Sequence, residues 1–198
     1  SRTNRPDVAY FYGQDAPLVA QRERLDDAPL QHGYDYINAP ALLDAATVKD
    51  GKLTTPGMQY RVLQLGGSSN MMTVNVLKRL RDLVAAGLIV AGEAPVDTPS
   101  LADDAAEFRR LKAQLWGADG KGRAVGKGRV YGKKAIAEVL AAEGVAPDVT
   151  AQRGNASVKV GDTMLFQHRK ADDGDIYYVM NRGERAGPIE LSFRQTGR

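Results

Sequence analysis

The chain has 198 residues, with 27 Lys and Arg against 24 Asp and Glu for a net charge of +3, 43% hydrophobic residues, two His, one Trp and no Cys. That size and balance fit one full-sized folded domain, or one domain with an appendage, rather than a disordered or collagenous chain. Zero Cys excludes disulfides, Cys-ligated zinc, iron–sulfur clusters and a cysteine nucleophile, and no apolar run approaches the roughly 20 residues of a membrane-spanning helix.

In chain order, the polar opening over residues 1–7 lacks the apolar centre of a signal peptide. Val8-Ala-Tyr-Phe-Tyr12 then reads as a buried strand that stops at Gly13. Pro17 opens a helix to about Arg24, since Pro is tolerated in a first turn. Gly33-Tyr-Asp-Tyr-Ile-Asn38 is a second strand, residues 41–46 a short helix, and Lys49-Asp-Gly-Lys52 a tight turn between extended stretches. Tyr60-Arg-Val-Leu-Gln-Leu65 is the third strand. Thr73 caps a helix whose apolar stripe is Val74, Leu77, Leu80 and Val84, and Gly87 stops it. With the strand over residues 88–92 this forms a parallel crossover unit.

A further helix is predicted from a Ser100 cap to about Trp116, with Leu101, Ala105, Phe108, Leu111 and Leu115 inward and Trp116 as a packing anchor. A Gly- and Lys-rich loop over residues 117–128 leads to a strand at residues 129–131 and a helix carrying Ile136, Val139 and Leu140, stopped by Gly144. If the strands beginning near residues 8, 34, 60, 88 and 129 make one doubly wound parallel sheet, Val62 and Leu63 must both be inaccessible, because such a sheet has no solvent side. Residues 157–160, 164–168, 176–180 and 189–193 are strand-like with period 2, which predicts an antiparallel meander. The domain division is therefore 1–150 for the α/β part and 151–198 for the β segment.

Residues 109–134 carry nine basic residues and one acid, a local charge of +8 that leaves −5 on the remainder. Trp116 and Tyr131 are the only aromatic residues within the run, too few for the interleaved stacking that nucleic-acid binding requires, so the run reads as a solvated surface. Open parallel sheets bind ligands beyond the carboxyl ends of their strands. Those ends make Gln14, Ser68, Ser69 and Asn70 the candidate ligand-binding residues, with the turn 66–70 able to hold a phosphate or nucleotide through amides and hydroxyls. The turn has neither dinucleotide nor Walker spacing. No catalytic residue is assigned: His32 and His168 lie away from the turn, so no triad converges on Ser68. Asp172, Asp173 and Asp175 flank Gly174 on a hairpin turn without EF-hand spacing, so no metal site and no cofactor is expected.

The stretches Val8-Ala-Tyr-Phe-Tyr-Gly-Gln-Asp-Ala-Pro17, Gly33-Tyr-Asp-Tyr-Ile-Asn38, Val48-Lys-Asp-Gly-Lys-Leu53, Tyr60-Arg-Val-Leu-Gln-Leu65 and Leu77-Lys-Arg-Leu-Arg-Asp-Leu-Val-Ala-Ala-Gly87 resemble the C-terminal half of the large bacterial α-L-rhamnosidases of glycoside hydrolase family 106. Asp175-Ile-Tyr-Tyr-Val-Met-Asn-Arg182 and residues 189–194 look like the first strands of the β-sandwich that follows. The resemblance implies a flavodoxin-like, class I glutamine amidotransferase-like α/β fold, a doubly wound parallel sheet followed by a small antiparallel β meander. It implies a non-catalytic structural domain of an enzyme that hydrolyses terminal α-L-rhamnosyl linkages in glycans, with the catalytic carboxylates in an upstream barrel. The turn Gly66-Gly-Ser-Ser-Asn70 departs from the Pro-containing turn expected there.

The implied partners are the other domains of the parent enzyme and, through it, a glycan; no nucleic acid and no membrane is expected. The family also implies export to the periplasm or cell exterior, with the signal far upstream. Both chain ends look cut, and an uncovered apolar face on the meander is expected to favour an artificial homodimer.

Overall fold

The computed structural model describes residues 3–4, 6–15, 27–66, 69–161, 164–184 and 187–195. The helix expected between Pro17 and Arg24 lies outside them, as do Gly67 and Ser68. In chain order the elements are β1 (Thr3–Asn4), β2 (Val8–Phe11), β3 (Tyr34–Ile37), a π-helical turn (Ala41–Ala45), β4 (Thr47–Lys49), β5 (Lys52–Thr55), β6 (Met58–Tyr60), β7 (Val62–Leu65), α1 (Val74–Ala86) and β8 (Ile89–Ala91). Then follow α2 (Ala105–Trp116), β9 (Ala124–Val125), β10 (Gly128–Tyr131), α3 (Ile136–Ala142), β11 (Val149–Arg153), β12 (Ala156–Val158), β13 (Met164–Ala171), β14 (Gly174–Asn181) and β15 (Glu190–Phe193).

The central sheet runs β3-β2-β7-β8-β10-β9, parallel except for the antiparallel edge strand β9. Helices cover both faces. Leu63 and Val90 join the stripe of α1 and the apolar residues of α2 in one cluster, while Val8, Val62 and Ala91 pack with Val139 and Leu140 of α3 in another. Val62 and Leu63 are both fully buried, as a doubly wound strand demands. The crossover β7-α1-β8 joins adjacent parallel strands. Thr73 caps α1 by accepting from the Val76 amide, and Gly87 ends it with φ of +126°, a conformation that favours glycine. Asp50 and Gly51, both at positive φ, form the two-residue turn between β4 and β5.

Four local expectations change. The stretch read as one strand from Tyr60 breaks at Arg61: β6 belongs to the antiparallel sheet β4-β5-β6, and only β7 enters the central sheet. Helix α2 begins at Ala105, not after Ser100, because the Asp104 carboxylate accepts from the amides of Ala106 and Glu107 and is the cap. Ser100 instead holds a turn closed by the Asp103 amide, so Leu101 and Ala105 are exposed rather than inward. The Gly- and Lys-rich loop contains β9, whose pairing with β10 makes it a hairpin.

The fourth change concerns the final strands, which do not form one meander. β13 and β14 pair as a hairpin across a two-residue loop, Asp172 and Asp173, with β1 on the other side of β13. β15 leaves that sheet and pairs with β11, an element the sequence did not suggest, and β12 completes the second three-stranded sheet. The reason lies just past β15: the Arg194 amide donates to the Asp148 carbonyl, and its guanidinium reaches the carboxylates of Asp7 and Asp148. These contacts draw the strand towards the amino ends of the central sheet and away from its sequence neighbour.

Candidate functional site

The carboxyl ends of β2, β7 and β8 meet at the turn that precedes α1. Gln14, Ser69 and Asn70 come together there, while Ser68 lies outside the described residues. The Gln14 side-chain oxygen accepts from the Thr73 amide at 2.9 Å and from the Thr73 hydroxyl at 3.3 Å. Ser69 is buried and donates its hydroxyl to the Phe11 carbonyl at 3.2 Å. Asn70 donates through Nδ2 to Asp15 Oδ2 at 3.2 Å, and the other oxygen of Asp15 accepts from the Met71 amide at 2.7 Å.

The first amides of α1 are engaged as well. The Val74 amide donates to Asp103 Oδ2 at 2.8 Å, which places a carboxylate from the turn before α2 where an external anion would sit. Asp15 and Asp103 were not singled out in the sequence, and nothing local marks them: their partners lie 56 and 29 residues away. Trp116, the expected anchor, is fully buried with its indole N–H donating to the Gly92 carbonyl at 2.9 Å. Arg109, Arg110, Lys121, Arg123, Lys127, Arg129, Lys133 and Lys134 of the basic run are exposed, and Arg129 and Lys134 lie over the Tyr131 ring at 5.6 and 5.4 Å from its centroid.

The turn itself walls a crevice of about 270 Å³ that opens on the α3 side over the ends of β7 and β8, where Gly66, Ser69 and Asn70 stand with Gln64, Gly92 and Lys134. Gln64 was not singled out in the sequence; the signal that could have found it is its place as the polar member of an otherwise apolar strand.

The two histidines lie at the opposite, amino end of the sheet, away from the turn. His168 Nδ1 is 3.2 Å from Asp148 Oδ1, its Nε2 is 2.7 Å from Asp175 Oδ1, and its ring stacks on Tyr177 with centroids 4.1 Å apart. His32 Nε2 faces the Val145 carbonyl at 3.3 Å, and burial holds its pKa below the ordinary value. Each ring nitrogen of His168 is thus engaged by a carboxylate, an arrangement that joins β13 to residues around the central sheet. Among the described residues no group of three or more His, Asp or Glu is placed to hold a metal ion.

A mostly parallel α/β sheet whose carboxyl-end turn is tied up by its own side chains, with three small antiparallel sheets attached, defines an α/β domain with antiparallel additions. The chain belongs to the α-L-rhamnosidase family, glycoside hydrolase family 106, whose model matches residues 2–198. The solved structure of a rhamnosidase from Novosphingobium sp. PP1Y is similar to it with a TM-score of 0.86 and 41% identity, covering 98% of this chain and 19% of that one. A protein of Formosa agariphila described as "Putative beta-glucuronidase" is 34% identical over 197 residues, which are 96% of this chain and 15% of that protein. The chain therefore spans less than a fifth of the length of either relative.

Proposed function

We propose that this chain is a flavodoxin-like, class I glutamine amidotransferase-like domain serving a bacterial α-L-rhamnosidase as a non-catalytic structural part. The carboxylates that hydrolyse terminal α-L-rhamnosyl linkages then lie outside these 198 residues. One observation carries the reading: at the carboxyl-end turn, where open α/β sheets take their ligands, Gln14, Asp15 and Asp103 occupy the donors that a substrate or anion would need. Two further features support it. Numbered within the sheet, the parallel strands run second, first, third, fourth, fifth, the flavodoxin-like order. The chain has no Cys, so the thiol of amidotransferase chemistry is missing. In this reading residues 151–198 begin a β-sandwich, the partners are the other domains of the enzyme, and the enzyme works in the periplasm or outside the cell.

The alternative, a module holding a phosphate or nucleotide at residues 66–70, parts from this reading in a titration. Flavin mononucleotide or inorganic phosphate is expected to leave the amide resonances of Ser69, Asn70 and Val74 unmoved; saturable shifts there would restore the anion site.

The β segment supplies a second expected result. β14 is the last strand of its sheet among the described residues, and Ile176, Tyr178 and Met180 alternate along one of its faces, Tyr178 being 65% exposed. An open edge with an apolar face favours strand-to-strand association, and an edge lysine opposes it. Light scattering is expected to find association of the 198-residue chain that Tyr178→Lys reduces. Equal association of both forms would remove this strand as the cause.

A further inference from the structure

Residues 119–134 set six basic side chains, Lys121, Arg123, Lys127, Arg129, Lys133 and Lys134, against one acid, Asp119, a local charge of +5 on and around the β9–β10 hairpin. All six are exposed. Elsewhere Arg61 meets Asp7, Lys78 and Arg110 meet Glu107, and Arg81 meets Asp82. On the hairpin Lys121 lies 3.8 Å from Asp119, but among the described residues no ion pair holds the other five. Exposure is all that a solvated run needs; gathering like charges costs repulsion within a screening length of about 8 Å, and solvation gives no reason to gather them. The backbone that carries them is fixed. The Lys127 amide donates to the Ala85 carbonyl at 3.0 Å, the Val130 amide to the Arg123 carbonyl at 2.8 Å and the Gly132 amide to the Lys121 carbonyl at 2.9 Å. A Cβ at Gly126 or Gly128 would run into the carbonyl oxygens of Ala85 and Leu88, so the hairpin sits tight against the end of α1 and the approach to β8.

We propose that this hairpin binds a linear acidic polysaccharide, one that bears a carboxylate or sulfate on successive sugars. Three observations select that class. Lys127 and Lys133 stand six residues apart, up to about 20 Å of extended chain, so the cations make a row that a linear polyanion can follow. Interfaces between protein domains are anchored by apolar and aromatic residues, and among the described residues the exposed large apolar side chains all lie away from the hairpin. Single-stranded nucleic acid stacks its bases on free aromatic faces, whereas Trp116 is buried and the Tyr131 ring already takes Arg129 and Lys134. Ammonium and guanidinium groups donate to the acidic groups of the polysaccharide, and the surface performs no bond-breaking step. The site stands on these charges and not on the non-catalytic reading of the domain.

The test is binding of the 198-residue chain to immobilised polygalacturonate, which offers carboxylates, and dextran sulfate, which offers sulfates, at about 0.02 M and about 0.2 M salt, with uncharged dextran and double-stranded DNA as further arms. The expected result is binding to at least one acidic polysaccharide at low salt, weakened at the higher salt, and none to dextran; binding to one alone identifies the anion. Lys127→Glu and Lys133→Glu, exposed changes that leave the core untouched, are each expected to weaken binding severalfold. Arg182→Glu, the same change of net charge past the end of β14, is expected to leave it near the parent value. No binding to either polysaccharide, DNA bound as tightly as both, or a loss in Arg182→Glu equal to that in Lys127→Glu overturns the proposal, and none of these outcomes bears on where hydrolysis occurs.

Discussion

Asp148→Ala is expected to destabilise the chain by about 3–5 kcal/mol, the cost of breaking a buried charge network by removing one partner. Asp148 is fully buried between the α/β sheet and the C-terminal strands. Its Oδ1 lies 2.6 Å from Arg194 Nη2 and 3.2 Å from His168 Nδ1, and its Oδ2 accepts from the Gly33 amide at 3.1 Å. Removing the carboxylate strands the Gly33 amide and one side of His168, while Arg194 keeps Asp7 at 2.7 Å. Because these partners belong to the approach to β3, to β13 and to the end of β15, the loss is expected to loosen the two sheets that hold β13 and β15. Asp148→Asn keeps shape and one acceptor and is expected to lose less. Urea unfolding followed by circular dichroism decides it: a loss below about 1 kcal/mol for Asp148→Ala would show that the network contributes little beyond its desolvation cost.

Trp116→Ala is the second large effect, expected at about 3–5 kcal/mol, the range for emptying a buried aromatic site. The side chain is fully enclosed at the C-terminal end of α2, and a Cβ at Gly132 would stand only 2.9 Å from its Cδ1. Neighbours this close are held by backbone and cannot collapse into the space. Trp116→Phe retains much of the packing but leaves the Gly92 carbonyl without its indole donor, and is expected to cost about 1–3 kcal/mol. Denaturant unfolding by circular dichroism reads both variants. If Trp116→Ala loses no more than Trp116→Phe, ring volume is not what holds α2 to the end of β8.

The parallel core was legible because its signals are local. The apolar runs of β2 and β7, the Thr73 cap, the α1 stripe, Gly87, and the Asp50-Gly51 turn each carry their conformation within a few residues. Where the reading missed, distant groups decided. β15 pairs with β11 rather than β14 because Arg194 finds Asp148 and Asp7, 46 and 187 residues earlier. The start of α2 moved because two acids three and four residues past Ser100 took over: Asp104 capped the helix and Asp103 turned to Val74. At the site, sequence reasoning placed Gln14, Ser69 and Asn70 at one turn, where the structure also has them, since all three follow strand ends. Their engagement by Asp15, Thr73 and Phe11 depends on how β2 and β7 lie side by side. Gln64, the one polar residue of β7, was not picked out, because its burial in the crevice wall depends on how the strands and α3 pack around it.

Hydrolysis of an aryl α-L-rhamnoside tests the central claim most directly, with the 198-residue chain, a no-protein blank and the Novosphingobium rhamnosidase run in parallel. On the proposal that the hydrolytic carboxylates lie outside these residues, the chain is expected to release the aryl alcohol at the rate of the blank, while the Novosphingobium enzyme turns over at about 1–10³ s⁻¹. Release by the chain alone above the blank, rising in proportion to its concentration, would contradict the account and place the chemistry within this domain.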